Sequence, residues 1–208
     1  MTKIYLVRHT KVMGPAALYG HNDIAVAPKD NQALMVQLLA QNISPTKVLT
    51  SPLQRCQSLA TALAIELDCP LAVEPAFTEM DFGDYDGVPF DDIVQREEKW
   101  QVLERFWQNP VQNTLPNAEL LAGFSYRVLQ GWRKLLAADL DGELVIICHG
   151  GVIRIILAHL LGVDWRNANL YTRLNIAYGS MTTLNISESK DVSVECIARP
   201  ILPIEAVA

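Results

Sequence analysis

The amino-acid sequence predicts an α/β protein with a mostly parallel central sheet, helices on both faces and a small helical cap inserted at about residues 87–118. Short strand-like runs alternate along the chain with segments of helical period. Those runs are apolar almost throughout, as expected of strands covered on both faces. At 208 residues, half of them hydrophobic and 19% charged, the chain suffices for one domain over residues 1–208 with a sizeable core.

The first strand spans 3–8. A loop follows from Thr10 to Pro28, punctuated by Gly14, Pro15 and Gly20. "NQALMVQLLAQN" has helical character, and "TKVLTS" is a second strand. In "SPLQRCQSLATALAIEL", Leu53, Cys56, Leu59, Ala60, Leu63, Ala64 and Leu67 recur at helical spacing. Ser51 is the expected N-cap of this helix, Pro52 its first residue and Gln54 the partner in a capping box.

"LAVEP" is a third strand, and 87–109 reads as helices with charged surfaces, closed by Asn109-Pro110 and a Pro/Asn loop to 118. A helix resumes over "ELLAGFSYRVLQGWRKLLAADL", with Leu121, Phe124, Val128, Trp132, Leu135 and Leu136 on one side. "ELVIIC" is a buried strand, "GVIRIILAHLLG" an apolar helix, and 180–186 and 192–198 have strand character.

The net charge of −6 argues against a nucleic-acid partner held on a broad basic face. No run approaches the roughly 18–20 apolar residues of a membrane span, and no secretory signal is visible. Cys56, Cys69, Cys148 and Cys196 form no C-x-x-C pair and read as buried thiols, so a cytoplasmic location is expected.

In parallel sheets ligands gather at the carboxyl ends of the strands. Arg8 and His9 follow the first strand, Ser51 and Arg55 the second, Glu79 the third, and His149 with Gly150 and Gly151 the run "LVIIC". Guanidiniums match phosphate oxygens, and helix N-termini add N–H donors. A neutral imidazole is a competent nucleophile toward phosphorus, and a carboxyl beside the leaving oxygen can supply its proton. These residue types point to phosphoryl transfer through a phosphohistidine.

Other chemistries lack their signatures. "CHGGV" resembles an esterase oxyanion loop, but no G-x-S-x-G elbow accompanies it. His149 and His159 are ten residues apart, without H-E-x-x-H spacing or a carboxylate cluster, and no P-loop is present. His159 reads as structural, His21 as a loop residue near substrate, and Asp81, Asp84 and Asp86 as a solvated turn in which Asp81 rivals Glu79 as the acid.

With these residues assembled, the chain resembles the histidine phosphatase superfamily, which includes cofactor-dependent phosphoglycerate mutase. "LVRHT", "TSPLQRCQSLA", "TEMDFGDYDG" and "IICHGGVIR" match its motifs in order, from residue 3 to about 185. The resemblance implies a phosphoglycerate mutase-like fold and a phosphomonoesterase that needs no metal or cofactor. His9 would be the phosphorylated nucleophile and Glu79 the acid. Arg8, Arg55 and His149, with Gly150, would hold the phosphoryl oxygens.

Arg8-His9-Thr10, Tyr19-Gly20 and "EMDFG" together are similar to α-ribazole phosphatases, implying α-ribazole 5′-phosphate as substrate in assembly of the cobalamin nucleotide loop. A broad sugar or nucleotide phosphatase, a mutase and a non-catalytic phosphate-binding protein are the alternatives. Thr10 replaces the superfamily's usual glycine, its phosphate-binding asparagine has no aligned counterpart, and Lys11 and Tyr19 are candidates to replace it. "PNAELL" keeps Glu119 but loses the usual neighbouring glycine and serine. The expected partner is a small-molecule phosphate ester, with a homodimer compatible with the sequence.

Overall fold

The computed structural model describes residues 2–138, 140 and 142–201. Among them, six strands form one sheet: β1 (Thr2–Arg8), β2 (Pro45–Thr50), β3 (Leu71–Val73), β4 (Glu143–Cys148), β5 (Ser180–Ile186) and β6 (Val192–Pro200). The spatial order is β3-β2-β4-β1-β5-β6. The first four strands run parallel, whereas β5 lies antiparallel to β1, and β6 antiparallel to β5. The mostly parallel α/β expectation is met.

The helices are α1 (Pro28–Leu39), α2 (Gln54–Glu66), α3 (Phe90–Val94), α4 (Glu97–Gln108), α5 (Leu121–Ala137), α6 (Gly150–Leu160) and α7 (Asn169–Thr172). Alternation along the strands builds a core on each face of the sheet. Ile4, Leu6, Leu144, Ile146 and Cys148 join Phe124, Val128, Trp132, Ile153 and Leu157 of α5 and α6. Tyr5, Val7, Val145 and Ile147 join Leu34 and Leu38 of α1 and Leu59 and Leu63 of α2 on the other face. Residues 4–7 of β1 and 144–148 of β4 are thus covered whichever way they point, which is why these runs carry no polar alternation.

The segment 87–118 holds α3, α4 and a loop. Its Ile93, Leu103, Phe106 and Leu115 belong to the same apolar cluster as α5 and α6, so this segment packs on the main core. Glu97 and Glu98 open α4 and Arg105 lies in its last turn, complementing the helix dipole. All four cysteines are free; Cys56 and Cys148 are buried, but Cys69 and Cys196 only partly so. No helix among the described residues is long and apolar enough to cross a membrane.

The start of α2 departs from expectation. The helix begins at Gln54, two residues after Pro52, and Ser51 is not its N-cap. The Gln54 N–H is instead met by the Asp23 carboxylate of the first loop at 2.7 Å, freeing the Ser51 hydroxyl to face His149.

Candidate active site

Register places the two histidines together. Arg8 pairs with Cys148 across the parallel β1–β4 ladder, so His9 and His149, the next residues, emerge side by side at about one strand spacing. Their ring centroids are 5.1 Å apart, edge to face. His9 is 4% exposed and His149 fully buried.

Hydrogen bonds assign both tautomers. His9 Nδ1 lies 2.7 Å from the Thr10 carbonyl, which can only accept; Nδ1 therefore carries the proton and Nε2 the lone pair. For His149, Arg55 Nε donates to Nδ1 at 3.3 Å, so Nε2 carries the proton and donates to Ser51 Oγ at 2.7 Å. Burial, followed by neighbouring positive charges, holds both imidazoles well below the ordinary histidine value. Neutral rings follow, with His9 Nε2 as the available nucleophile.

Arg8 stacks on Tyr178, its Cζ 3.7 Å from the ring centroid, and donates to the Ile176 carbonyl. Its Nε is buried without an acceptor. A buried unpaired guanidinium donor is costly, and an anion in the pocket would relieve it.

Glu79 faces the same pocket. Its Oε2 accepts from the Gly151 N–H at 3.0 Å and its Oε1 from the Met80 N–H at 3.1 Å. The absence of a side chain at Gly151 makes room for this pose, since a Cβ would stand 2.2 Å from Glu79 Oε1.

Arg55 is fully buried but does not line the pocket. It donates to the carbonyls of Tyr19, Gly20 and Asn22 as well as to His149. Asp86 takes the N–H groups of the same turn, those of Gly20, His21 and Asn22. A cation on its carbonyls and an anion on its amides thus fix residues 19–22. Asp86 is therefore a loop clamp and not part of a solvated turn. Asp84 binds Asn117, and Asp81 accepts from Gly83 and lies 3.7 Å from His21, with neither aspartate lining the pocket.

Arg8, His9, Glu79 and Gly150 therefore line one cavity of about 180 Å³, with Arg55 and His149 behind it. Tyr19 lines the cavity, while Lys11, His21 and His159 do not. Two polar lining residues escaped the sequence reading, Tyr178 and Arg154. Tyr178 precedes β5, and because β5 runs antiparallel its start lies at the same sheet edge as the end of β1. Arg154 follows Gly150 by one helical turn, a spacing visible in "CHGGVIR".

A second cavity of about 180 Å³ adjoins the first, sharing Leu18, Glu79, Phe82 and Arg154. Its remaining walls are mostly apolar and include Phe106, Trp107, Leu121, Phe124 and Tyr171. Among the described residues no group of three or more His, Cys, Asp or Glu side chains is arranged to hold a metal ion.

The profile of the "Histidine phosphatase superfamily (branch 1)" matches residues 4–197, and the chain belongs to this family. It is 27% identical over 191 residues to the "Adenosylcobalamin/alpha-ribazole phosphatase" of Escherichia coli K12, covering 89% of this chain and 91% of that protein. It is 24% identical over 192 residues to the "Probable phosphoglycerate mutase GpmB" of Erwinia tasmaniensis, covering 91% and 87%. The fold matches the alpha-ribazole phosphatase of Shigella flexneri with a TM-score of 0.79 at 22% identity, covering 97% of this chain and 98% of that one.

Proposed function

We propose that the protein is a phosphomonoesterase working through phospho-His9, with α-ribazole 5′-phosphate as its substrate. The observation that carries this is the free Nε2 of a neutral His9 in a pocket that also holds an unpartnered Arg8 donor and the Glu79 carboxyl.

His9 Nε2 attacks phosphorus. The N–P bond forms as the P–O ester bond breaks, and the departing alkoxide takes the proton of the Glu79 carboxyl. Glu79, now a carboxylate, deprotonates the water that attacks phosphohistidine. The N–P bond breaks and inorganic phosphate leaves. Arg8 and the Gly150 end of α6 meet the phosphoryl oxygens as charge gathers on them. Arg55 and His149 form the wall behind, and His149 Nε2–H is a further donor once it leaves Ser51. The chemistry needs no metal or cofactor.

The substrate assignment is supported by the adjoining chamber. Phe82, Phe106, Trp107 and Tyr171 suit a flat, weakly polar heteroaromatic base better than the carboxylate of a phosphoglycerate. The named similarity to α-ribazole phosphatases points the same way. We place this reaction in the cytoplasm, where such an intermediate of cofactor assembly would be made.

The test is phosphate release from α-ribazole 5′-phosphate beside a panel of sugar phosphates, nucleotides and phosphoglycerates, in EDTA, with His9→Ala as control. Preference for α-ribazole 5′-phosphate, lost in the control, is expected. Activity centred on another ester, still dependent on His9, would discard the cobalamin role. Conversion of 3-phosphoglycerate to 2-phosphoglycerate would favour the mutase reading.

A further inference from the structure

Arg154 lines the phosphoryl pocket and the aromatic chamber alike, and none of the steps above uses it. It lies four residues after Gly150 on α6, so the two share a helix face. Its Nη1 is 3.2 Å from the point where a Gly150 Cβ would stand, and Arg8 Nε is 3.5 Å from that same point. Two guanidiniums therefore flank a residue without a side chain.

Both have donors to spare. Arg8 Nε is buried and unpartnered. Arg154 donates Nε to the Leu174 carbonyl at 3.0 Å, its sole hydrogen bond among the described residues, and both its Nη groups remain. Holding one carbonyl does not require an arginine. Burial, and then the charge of Arg8, pull Arg154 below its ordinary value, against the opposing charge of Glu79. The carboxylate facing them, Glu79, is already engaged by the Gly151 and Met80 amides.

We propose that Arg154 is a phosphoryl ligand, gripping the non-bridging oxygens of the transferring group opposite Arg8 across Gly150. This rests on the phosphohydrolase reading. With both histidines neutral, a dianionic phosphoryl group balances the two guanidiniums. Arg154 forms no covalent bond and moves no proton; it meets charge on oxygens that carry most of it in the transition state.

The test compares wild type, Arg154→Met and Arg154→Lys. Orthovanadate and inorganic phosphate are titrated by tryptophan fluorescence, and kcat and KM are measured on p-nitrophenyl phosphate. Orthovanadate affinity should fall on the order of 100-fold in Arg154→Met, with partial recovery in Arg154→Lys, and kcat should drop more than KM rises. If Arg154→Met does not fold, Arg154→Lys should still lose about tenfold in kcat, because the forked geometry is gone.

Orthovanadate affinity within about twofold of wild type in the folded variants would overturn the proposal. So would a raised KM with phosphate and orthovanadate affinities unchanged, which would assign Arg154 to the alcohol side. A wild-type protein that binds orthovanadate but releases no phosphate would overturn the hydrolase reading while the binding comparison still decides the role of Arg154. Wild type that binds neither anion would overturn both.

Discussion

Arg127 donates to the main-chain carbonyl of Glu79 at 2.8 Å, and its remaining N–H groups reach the Ala76 and Thr78 carbonyls and both carboxylate oxygens of Glu119. All five donors of the guanidinium are matched. Glu119 in turn exchanges hydrogen bonds with the Asp81 main chain. The ion pair of Arg127 on α5 with Glu119, just before that helix, thus ties both sides of the turn that carries Glu79, and it accounts for Glu119 in "PNAELL": the residue braces the Glu79 loop.

Arg127→Met should lower kcat at least tenfold and cost about 2 kcal/mol of stability, since it strands a half-buried carboxylate and three carbonyls. For a chain of this size the melting temperature should fall by roughly 4–8 °C. Arg127→Lys should recover stability better than kcat. The temperature dependence separates the roles: a displaced Glu79 lowers kcat well below the melting temperature, in protein that is fully folded, whereas mere loosening lowers the melting temperature alone.

Gly151→Ala tests the proposed role of Glu79 from the other side. Its Cβ would stand 2.2 Å from Glu79 Oε1 and 3.1 Å from Phe124 Cζ. The carboxyl must turn away, so kcat should fall at least tenfold while KM changes little. Full activity in this variant would show that Glu79 is not the proton donor in the pose described.

The chamber assigns different weights to two tryptophans. Trp107 lines it, whereas Trp100 only packs edge-on against Trp107, ring centroids 5.8 Å apart. Trp107→Ala should raise KM for an aromatic phosphate ester about tenfold, leaving inhibition by inorganic phosphate unchanged. Trp100→Ala should have a smaller effect of the same kind. Unaltered KM in Trp107→Ala would remove the cap from substrate binding.

Burial of neutral His9 and His149 also predicts an acid limit to stability. Both have native values depressed well below their unfolded value near 6.5. Below that pH the unfolded chain binds protons that the native chain refuses, so stability is full above about pH 6.5 and is lost as pH falls below it. The slope approaches about 1.4 kcal/mol per pH unit for each histidine. Denaturant unfolding between pH 7 and 5 should show this slope, reduced in His9→Asn and His149→Asn. An unchanged slope in both would contradict neutral burial.

Legibility in the sequence followed the carboxyl ends of the parallel strands. His9 and His149 were visible because each follows an apolar run that forms a covered strand, and Glu79 because it lies a few residues past the short edge strand β3. Tyr178 was not, because its strand runs the other way and only pairing with β1 brings it to that edge. Arg55 followed the correct strand, yet its length lets it turn back to the 19–22 turn, which residue type alone does not reveal. Ser51 has the chemistry of an N-cap, but a histidine 98 positions away competes for its hydroxyl and Asp23 takes over the cap. Local rules thus located the site, and long-range partners decided the hydrogen bonds within it.

The central claim is that His9 carries the phosphoryl group, and trapping it is the most direct test. The protein is mixed with a phosphate ester radiolabelled on phosphorus, quenched within milliseconds, and its peptides are mapped. Label on the peptide containing His9, stable in alkali, lost in acid and absent from His9→Ala, is the predicted result; Glu79→Gln should change the rates of its formation and decay. Phosphate release at the wild-type rate by His9→Ala, or label on another residue, would contradict the mechanism.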